Sequence, residues 1–482
     1  MGSWARVLAV LVLFGCASAP RYQPPPEAAP AVFREGPAMP ESTAADTPWW
    51  RIYRDTTLQR LVRVALARSA DLRIAVERVS EARALLMAAR GAQLPVLGLS
   101  GTAQRNWVRQ SVPSDGYTTT TRTDVLSAAA TASWEADIFG VQRNAARSAT
   151  ASLQATEGLR RGAALLVVAE VASAYVELQA SDQQLGIVQR SITARRGYVD
   201  ATKRRFDGTS QNELEYRQAQ ALLEAAREQA IDLEEGAADE ENALSVLMGR
   251  APEAIPRTGA PGDQLLTPVP AGLPSQLVVR RPDVMAAERA LAAAGADVGA
   301  ARAQLFPSLA LFAGVRYSRY ATPAQPSSFG ILIPETISTS GTWYGTATVS
   351  QPLFAGGQIV AQVRAAEARR REALAEYEGT VLAALQDAEN QLVAVRLAAD
   401  RRESADSQVA YARAALPAAE RRYEGGASPF LEVVDAQRTL LAAELGAVAA
   451  RVRQAGAVIG LYKALGGGWQ SDTPAAGGGA AN

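Results

Sequence analysis

The sequence predicts a mostly α-helical chain with a membrane β part, built as an internal duplication. Two long segments rich in Ala, Leu, Arg and Glu, Val141 to Phe206 and Gln358 to Tyr423, have a helical composition. Each follows a segment that alternates polar and apolar residues and then turns at glycine. An uninterrupted helix from Val141 to Phe206 would be roughly 100 Å long. That length is about three times the hydrocarbon thickness of a bilayer.

The composition fits long helices packed through small side chains and excludes several kinds of site. The 482-residue chain has 49 basic and 49 acidic residues, 48% hydrophobic residues and only 6% aromatic ones. A balanced charge gives no reason to expect nucleic-acid binding. Because the sequence contains no histidine, histidine metal sites and imidazole general-base catalysis are excluded.

The N-terminus resembles a bacterial lipoprotein signal. An apolar run from Val7 to Phe14 leads through Gly15 to Cys16, the single cysteine of the chain. A short charged start, an apolar core and a small residue before the cleavage point are typical of secretory signals. Residues 1–15 are therefore predicted to be the signal peptide and Cys16 to carry a covalent lipid. The alternative is an ordinary cysteine in a signal peptide that is removed whole.

The segment after the signal is predicted to be a tether. Residues 16–48 are rich in Pro, Ala and Glu and cannot form a packed element, so we expect an extended linker from the lipid. The acidic residue that commonly retains bacterial lipoproteins in the inner membrane does not follow Cys16, where Ala17 stands instead. By resemblance, this favours the outer membrane.

Residues 49–256 are predicted to form the first repeat, starting at Trp49-Trp50. Asp55 to Arg90 has apolar residues at helical spacing, and from Val96 the period changes to two. A polar loop is predicted over Ser111 to Thr123, followed by a second strand. The long helix ends at an Arg-Phe-Asp-Gly turn, and a returning helix follows from Asn212 to Met248.

The same order of elements then recurs. Residues 257–274 are rich in Pro and Gly and predict a linker, and residues 275–465 predict the second repeat. A long polar loop is expected over Arg319 to Gly341, between its two strands. Pro417 is expected to kink or end the second long helix early. Residues 466–482 form a Gly/Ala-rich tail that is predicted to be disordered.

The four predicted strands alternate between an apolar face and a small or polar face. Leu126, Ala130 and Trp134 share one side of the second strand, whereas Ser127 and Thr131 share the other. Soluble sandwich strands also alternate, but a chain with a secretory signal and four long strands fits a membrane barrel better. Four strands cannot close a barrel, and an open edge in lipid leaves unpaired backbone groups. Closure therefore requires several chains, and three copies would supply twelve strands.

Several ordered motifs carry a resemblance to a known family. They are the cysteine signal at Cys16, Trp49-Trp50, Ser133 to Gly140, Arg280-Arg281-Pro282-Asp283, Gln351 to Gly357 and the two helix turns. Over about Trp49 to Leu465 the chain resembles the outer-membrane channel proteins of bacterial tripartite efflux and type I secretion systems. It is most similar to the lipoprotein branch that serves resistance-nodulation-division pumps.

The resemblance implies an assembly and a set of partners. Members form homotrimers in which a twelve-stranded outer-membrane β-barrel continues into a twelve-helix periplasmic α-barrel. The implied partners are further copies of the chain, a periplasmic adaptor protein, an inner-membrane resistance-nodulation-division pump and outer-membrane lipid. The turns would lie at the periplasmic tips and contact the adaptor, although their glycines are also ordinary helix caps. The residues expected to make this contact are Phe206, Gly208, Thr209, Ser210, Tyr423, Gly425, Gly426 and Ser428.

The resemblance also implies a periplasmic gate. Glu432 and Asp435 match acidic positions that surround the closed entrance in this family, and the spacing i, i+3 places both on one helix face. Carboxylates around a narrow mouth would favour cations. A solvated acidic face is the alternative. The family often has a basic residue near this turn, where this chain has Ala427 and Ser428, so Arg421 and Arg422 are the candidate substitutes.

Three functions are compatible with these sequence features. The first is a passive exit duct for small toxic compounds, opened by the adaptor and pump. The second is a duct for a secreted polypeptide, and the third is a periplasmic coiled-coil scaffold without a pore. The cysteine signal and the stretch from Leu273 to Asp283 favour the first. No nucleophile–base pair or phosphate loop supports an enzyme, and no cofactor is expected beyond the lipid on Cys16.

Overall fold

The computed structural model describes residues 34, 55–112, 117–208, 213–257, 280–326 and 331–467. The predicted signal peptide, Cys16, Trp49-Trp50 and nearly all of the linker and tail lie outside these residues. The elements are α1 Thr56–Arg68, α2 Ala70–Gly91, β1 Val96–Val112, β2 Tyr117–Ala136, α3 Val141–Gly208, α4 Glu213–Leu247, α5 Pro282–Ala303, β3 Ser308–Thr322, β4 Gln325–Pro326, β5 Leu332–Ile333, β6 Thr336–Ser350, α6 Gln358–Glu424 and α7 Phe430–Ala464.

The chain divides into two compact units, and each draws segments from both halves of the sequence. One unit contains the strands and the helix ends that adjoin them, within residues 81–153 and 289–374. The other contains helices from residues 25–80, 154–288 and 375–482. Both halves of the chain run through helix, strand pair, long helix and return helix, which confirms the predicted duplication.

The four long strands form one antiparallel sheet in the order β1-β2-β3-β6. The helices that precede and follow each strand pair all join the sheet at one end, and the two hairpin connections lie at the other end. Within the described residues, β1 and β6 are the edges of this sheet. Their outer backbone groups are therefore not paired within this chain.

The strand register separates apolar from polar side chains, as the sequence predicted. Leu99 pairs with Ala130, Ala130 with Val315 and Val315 with Trp343, so these residues share one face. We call it the apolar face, and its large side chains are exposed in the single chain: Leu97, Leu99, Trp107, Leu126, Val315, Tyr317, Trp343 and Val349. The opposite face is mainly Ser, Thr, Gly and other polar residues, including Ser127, Thr131, Arg316, Thr346 and Thr348.

The hairpin loops are shorter than the sequence predicted. The run Thr118 to Thr121 was assigned to a loop, but it belongs to β2, where Thr120 pairs with Arg109. Threonine is β-branched and favours extended backbone when a partner strand is present, which a local pattern does not reveal. Likewise the loop predicted over Arg319 to Gly341 is largely strand, because β3 reaches Thr322 and β6 begins at Thr336.

The helix-proximal end of the sheet is held by two contacts. Trp134 Nε1 donates a 2.9 Å hydrogen bond to the Gln93 carbonyl oxygen just before β1. Phe139, which follows β2, stacks on Phe306, which precedes β3, with ring centroids 5.0 Å apart. The indole N–H is a hydrogen-bond donor that the Gln93 carbonyl satisfies, and the stacked rings add to the burial of apolar area.

The helical unit has its own apolar core. Leu58 and Val62 of α1 pack with Val168 and Tyr175 of α3 and with Ile459 of α7. One amphipathic helix was predicted from Asp55 to Arg90, but Ser69 adopts an extended conformation and divides it into α1 and α2. At the start of α1, Asp55 caps the helix by accepting hydrogen bonds from the Thr57 and Leu58 amides.

A buried arginine connects three helices of this unit. The Arg281 side chain donates to both carboxylate oxygens of Asp283, to Asp387 on α6 and to the Ala464 carbonyl at the end of α7. Its guanidinium has five donors in a fixed plane, so it can bind all three partners together. The Arg280–Asp283 motif found in the sequence therefore has a structural role, because Arg281 holds the three helices together.

Pro417 does not end α6. The helix continues past it to Glu424, so the prediction of an early end is wrong. A proline removes one backbone donor, and packing of neighbouring residues can outweigh that loss. Leu416 and Ala419, on either side of it, contact an apolar cluster that includes Phe430.

One described helix, Val141–Gly208, contains a window apolar enough to cross a membrane. About two thirds of that window, 67%, is buried within the protein. This is the burial expected of a helix that packs in a protein core rather than against lipid.

Candidate functional site

The turn between α3 and α4 is built around two stacked rings. Phe206, in the last turn of α3, stacks on Tyr216 of α4 with ring centroids 5.8 Å apart. Gly208 is the last residue of α3. Thr209 and Ser210, which are predicted to belong to this turn, lie outside the described residues.

The turn between α6 and α7 is a glycine-based helix cap. Ala427 N donates to the Arg422 carbonyl and Gly426 N donates to the Tyr423 carbonyl, the paired bonds of a Schellman motif. Gly426 has φ +71°, a conformation that glycine adopts without strain. Pro429 then precedes α7, and the buried Ser428 Oγ has no hydrogen-bond partner among the described residues.

Tyr423 joins the two turns. Its Oη donates a 2.7 Å hydrogen bond to Glu215 Oε2 on α4, and the Arg205 guanidinium lies 4.8 Å from its ring centroid. Burial, together with the Glu215 carboxylate, raises the pKa of Tyr423 to about 12. The hydroxyl therefore stays protonated and remains a hydrogen-bond donor at every physiological pH.

An apolar cluster supports this contact. Phe430 and Val433 of α7 are buried against Ala219 and Leu222 of α4. The ring of Phe430 lies 5.3 Å from that of Tyr423, centroid to centroid. The turn residues thus sit on packed side chains that restrict their movement.

The predicted gate residues are exposed on the first turns of α7. Glu432 Oε2 lies 3.3 Å from Arg422 Nε, and both side chains are about half exposed. Asp435 is exposed one helical turn further on. Arg422, one of the two candidate substitutes for the missing basic residue, therefore does reach Glu432, whereas Ala427 cannot.

The duplication makes the two turns comparable. At one constant sequence offset, Arg205 corresponds to Arg422, Phe206 to Tyr423 and Glu215 to Glu432. Tyr423 uses its hydroxyl to bond Glu215 of the other hairpin. Phe206 has no hydroxyl, so it cannot make the reciprocal bond to Glu432. Glu432 is left at the surface with Arg422.

Sequence reasoning identified the turns but missed the partners Glu215, Arg205 and Tyr216. The constant offset was a usable signal, because Glu215 occupies the position equivalent to Glu432. Within the described residues, no group of three or more His, Cys, Asp or Glu side chains could hold a metal ion.

Comparison with known proteins identifies the family. The family model for outer membrane efflux proteins matches residues 61–250 and 273–467, one segment in each half of the chain. The chain belongs to the outer membrane efflux protein family.

Individual relatives of this outer membrane efflux protein are similar over nearly their whole length. It is 33% identical over 451 residues to the pyoverdine export outer membrane protein OpmQ of Pseudomonas putida, covering 93% of each chain. Its structure matches that of CusC with TM-score 0.80 and 28% identity, covering 93% of this chain and 99% of that one. It matches the open state of the Neisseria gonorrhoeae MtrE outer membrane channel with TM-score 0.76 and 30% identity, covering 94% and 98%.

These findings confirm the fold class and general function that the sequence predicted. The protein is an outer membrane efflux channel component that spans the outer membrane and extends into the periplasm. The four-stranded sheet is its membrane part, since its exposed apolar face suits lipid. The helix turns at Gly208 and Gly426 follow the ends of the long helices that do not adjoin a strand.

Proposed function

We propose that three copies of this chain form one passive exit duct, which conducts small toxic compounds from the periplasm to the exterior. An inner-membrane resistance-nodulation-division pump and a periplasmic adaptor open it. The chain catalyses no reaction and needs no cofactor for this role. The proposal rests on the open edges of the sheet. In a single copy, the outer backbone N–H and C=O groups of β1 and β6 would have no hydrogen-bond partners in lipid.

Closure by copies of the chain satisfies those edges. Each backbone N–H or C=O group without a hydrogen-bond partner in lipid costs roughly several kcal/mol. If β6 of one copy pairs with β1 of the next, three copies close a twelve-stranded barrel with no edge. The apolar face then meets lipid, and the Ser- and Thr-rich face lines a water-filled pore.

The decisive experiment measures the mass of the detergent-extracted protein and its strand content. We expect a trimer whose electrophoretic mobility changes on heating, as barrels unfold only when heated. A monomer without strand signal would show that the chain is a periplasmic coiled-coil scaffold instead. A strain that lacks this protein provides the second comparison. If a polypeptide that is normally secreted accumulates inside those cells and drug sensitivity does not change, the polypeptide-secretion alternative is favoured.

We propose that the two turns are the adaptor-contact tips. Both are short, both are fixed by packed rings below them, and Gly425 and Gly426 present exposed backbone. The other residues proposed for this contact are Phe206, Gly208, Thr209, Ser210, Tyr423 and Ser428. Photocrosslinkers placed at residue 209 and at residue 425 should capture the adaptor, whereas one placed at the exposed Arg370 should not.

We propose that Glu432 and Asp435 form the periplasmic gate and that Arg422 helps hold it closed. Three copies would surround the mouth with these carboxylates, which concentrates cations there. The ion pair between Arg422 and Glu432 supports this assignment. Glu432→Ala with Asp435→Ala should lower cation selectivity in planar bilayers. Unchanged conductance and selectivity would remove both residues from the gate.

We propose that Cys16 carries the lipid anchor. The motif at residues 13–16 supports it, and the mass of the mature chain tests it. The unmodified protein should begin at Cys16 with added acyl mass, whereas Cys16→Ala should show neither the acyl mass nor cleavage at this point. A mature chain that lacks Cys16 altogether would contradict the proposal.

A further inference from the structure

Five charged residues interrupt the apolar face of the sheet near its hairpin end. One of them, Arg109 on β1, lies nearer the turn, and the other four form a group: Arg105 on β1, Arg122 and Asp124 on β2 and Arg319 on β3. We call this group the strand-end arginine cluster. Neither the gate nor the tips involve it, since it lies in the other compact unit.

The register places the cluster on the lipid side. Arg105 pairs with Asp124, Arg122 with Trp107 and Arg319 with Leu126, and Leu126 and Trp107 are exposed residues of the apolar face. Side chains two residues apart on a strand share a face. All four charged side chains therefore project from the face that carries Leu99 and Ala130, away from the pore.

The depth of the cluster fits a membrane interface. Trp134, at the helix-proximal end of β2, lies ten residues from Asp124. Ten residues span about 34 Å along a strand, or about 25 Å along the membrane normal at a tilt of about 40°. That equals the height of the apolar band of a membrane barrel. With Trp134 at the periplasmic interface, the cluster lies at the headgroup level of the outer leaflet.

Asp124 holds the hydrogen-bond donors of two arginines at this headgroup level. Asp124 lies between two guanidinium groups, and each binds it with two bonds: Arg105 at 2.6 and 3.0 Å, and Arg122 at 3.3 and 2.7 Å. The carboxylate orients both arginines but neutralises only one of their charges. Each guanidinium keeps further N–H donors free. Both arginine side chains are substantially exposed, 51% for Arg105 and 39% for Arg122.

Arg319 supplies a second cationic point on the next strand. It lines a shallow groove of about 320 Å³ together with Arg105 and Asp124. In the described part of the chain, no carboxylate forms an ion pair with Arg319. Arg105 and Arg319 lie on strands separated by β2, about 10 Å apart at a strand spacing of about 4.8 Å, so the groove carries two separate positive centres.

Excess positive charge at headgroup level attracts an anionic neighbour. Arginine on the lipid side of a barrel is costly at mid-membrane and far less costly near the interface. The guanidinium plane also matches phosphate with paired hydrogen bonds. A lipid headgroup with two phosphates would complement the two centres and reach the groove while its acyl chains cover Leu126 and Leu99.

We propose that the strand-end arginine cluster binds the phosphates of a diphosphorylated glycolipid in the outer leaflet. The inference rests on the proposed closed barrel, which makes the apolar face the lipid face. Bound lipid would cover the hairpin end of the sheet and fix the height of the channel in the membrane.

The test compares matched arginine variants of the full-length trimer. Binding of diphosphoryl lipid A to the detergent-solubilised trimer is measured by native mass spectrometry, after its trimeric mass is established. Arg319→Gln breaks no ion pair and should weaken binding about tenfold, and Arg105→Gln with Arg319→Gln should weaken it further. Arg316→Gln, an exposed arginine on the opposite face of β3, should leave lipid affinity unchanged.

Three results would overturn the proposal. The first is that the Arg319→Gln trimer binds diphosphoryl lipid A as tightly as the unmodified trimer does. The second is that Arg316→Gln weakens binding as much as Arg319→Gln does. The third is that dephosphorylated lipid A binds as tightly as the diphosphorylated form. Phosphatidylglycerol or inorganic phosphate that binds as tightly and depends on Arg319 as strongly would also overturn the assignment to a diphosphorylated glycolipid. Failure of the duct itself is distinguished, because it appears as a monomer in the unmodified protein.

Discussion

Tyr423 Oη donates a 2.7 Å hydrogen bond to Glu215 Oε2, and this bond joins the second helix hairpin to the first. The equivalent position in the first hairpin is Phe206, which cannot donate. The duplicated turns therefore contribute one cross-hairpin bond rather than two. This asymmetry leaves Glu432 free to pair with Arg422 at the surface, where the proposed gate lies.

Loss of the Tyr423 hydroxyl should loosen the tips. Tyr423→Phe keeps the ring against Phe430 but leaves Glu215 without its donor. A hydrogen bond to a charged group contributes about 1.5–3 kcal/mol, so single-channel recordings should show longer or more frequent openings. Tyr411→Phe, on an exposed tyrosine of the same helix, is the matched control and should behave like the unmodified protein.

Loss of the Arg422 charge should have a smaller and salt-dependent effect. The ion pair with Glu432 is about half exposed, and such pairs contribute about 0–1 kcal/mol. Arg422→Gln should therefore raise conductance at low salt and match the unmodified channel near 1 M salt, where exposed charges are screened. An increase that persists at high salt would show that Arg422 acts through packing. Arg370→Gln provides the exposed control on α6.

A glycine of β3 should resist substitution. A Cβ at Gly314 would lie 2.8 Å from the ring of Tyr344 on β6, closer than side chains tolerate. Gly314→Ala should destabilise the sheet by about 1–3 kcal/mol and lower the temperature at which the trimer dissociates. Gly345→Ala, where a Cβ meets nothing within 4 Å, should cost less. Adding Tyr344→Ala to Gly314→Ala should relieve the overlap.

The helical unit should lose stability as pH rises towards neutrality. Burial, followed by the charge of Glu177, raises the pKa of Glu240 to about 7. The unfolded value is about 4.3, so the folded state binds more protons between these values and stability falls as pH rises through this window. Glu240→Gln should flatten that dependence and raise the melting temperature at pH 8 relative to the unmodified protein. Glu234→Gln, on an exposed residue of the same helix, should preserve it.

Much of the fold could be predicted because its signals are local and repeated. The bounds of α3 follow from the glycine turn before Val141 and the long run without proline. The two faces of the sheet follow from alternation in each strand, and the register confirmed every predicted face. The Thr118–Thr121 segment was misassigned and an early helix end at Pro417 was wrong, because cross-strand pairing and helix packing outweighed local preference there.

Only part of the candidate site could be predicted from the sequence. Glycine spacing located both turns, and the resemblance to the family located Glu432. The partners of those residues come from helices far apart in the chain: Glu215 reaches Tyr423 across 208 residues. A local pattern cannot show which of several carboxylates lies within hydrogen-bond distance of a given hydroxyl.

The sequence by itself determined the duplication, the four strands with an apolar face, and the need for further copies to close the sheet. These depend on periodicity and on backbone hydrogen bonding, which composition and order already specify. Only the tertiary structure decided which side chains meet: the Arg281 tie, the Tyr423–Glu215 bond and the arginines held by Asp124. Such contacts depend on distances between separate elements, and packing alone sets those distances.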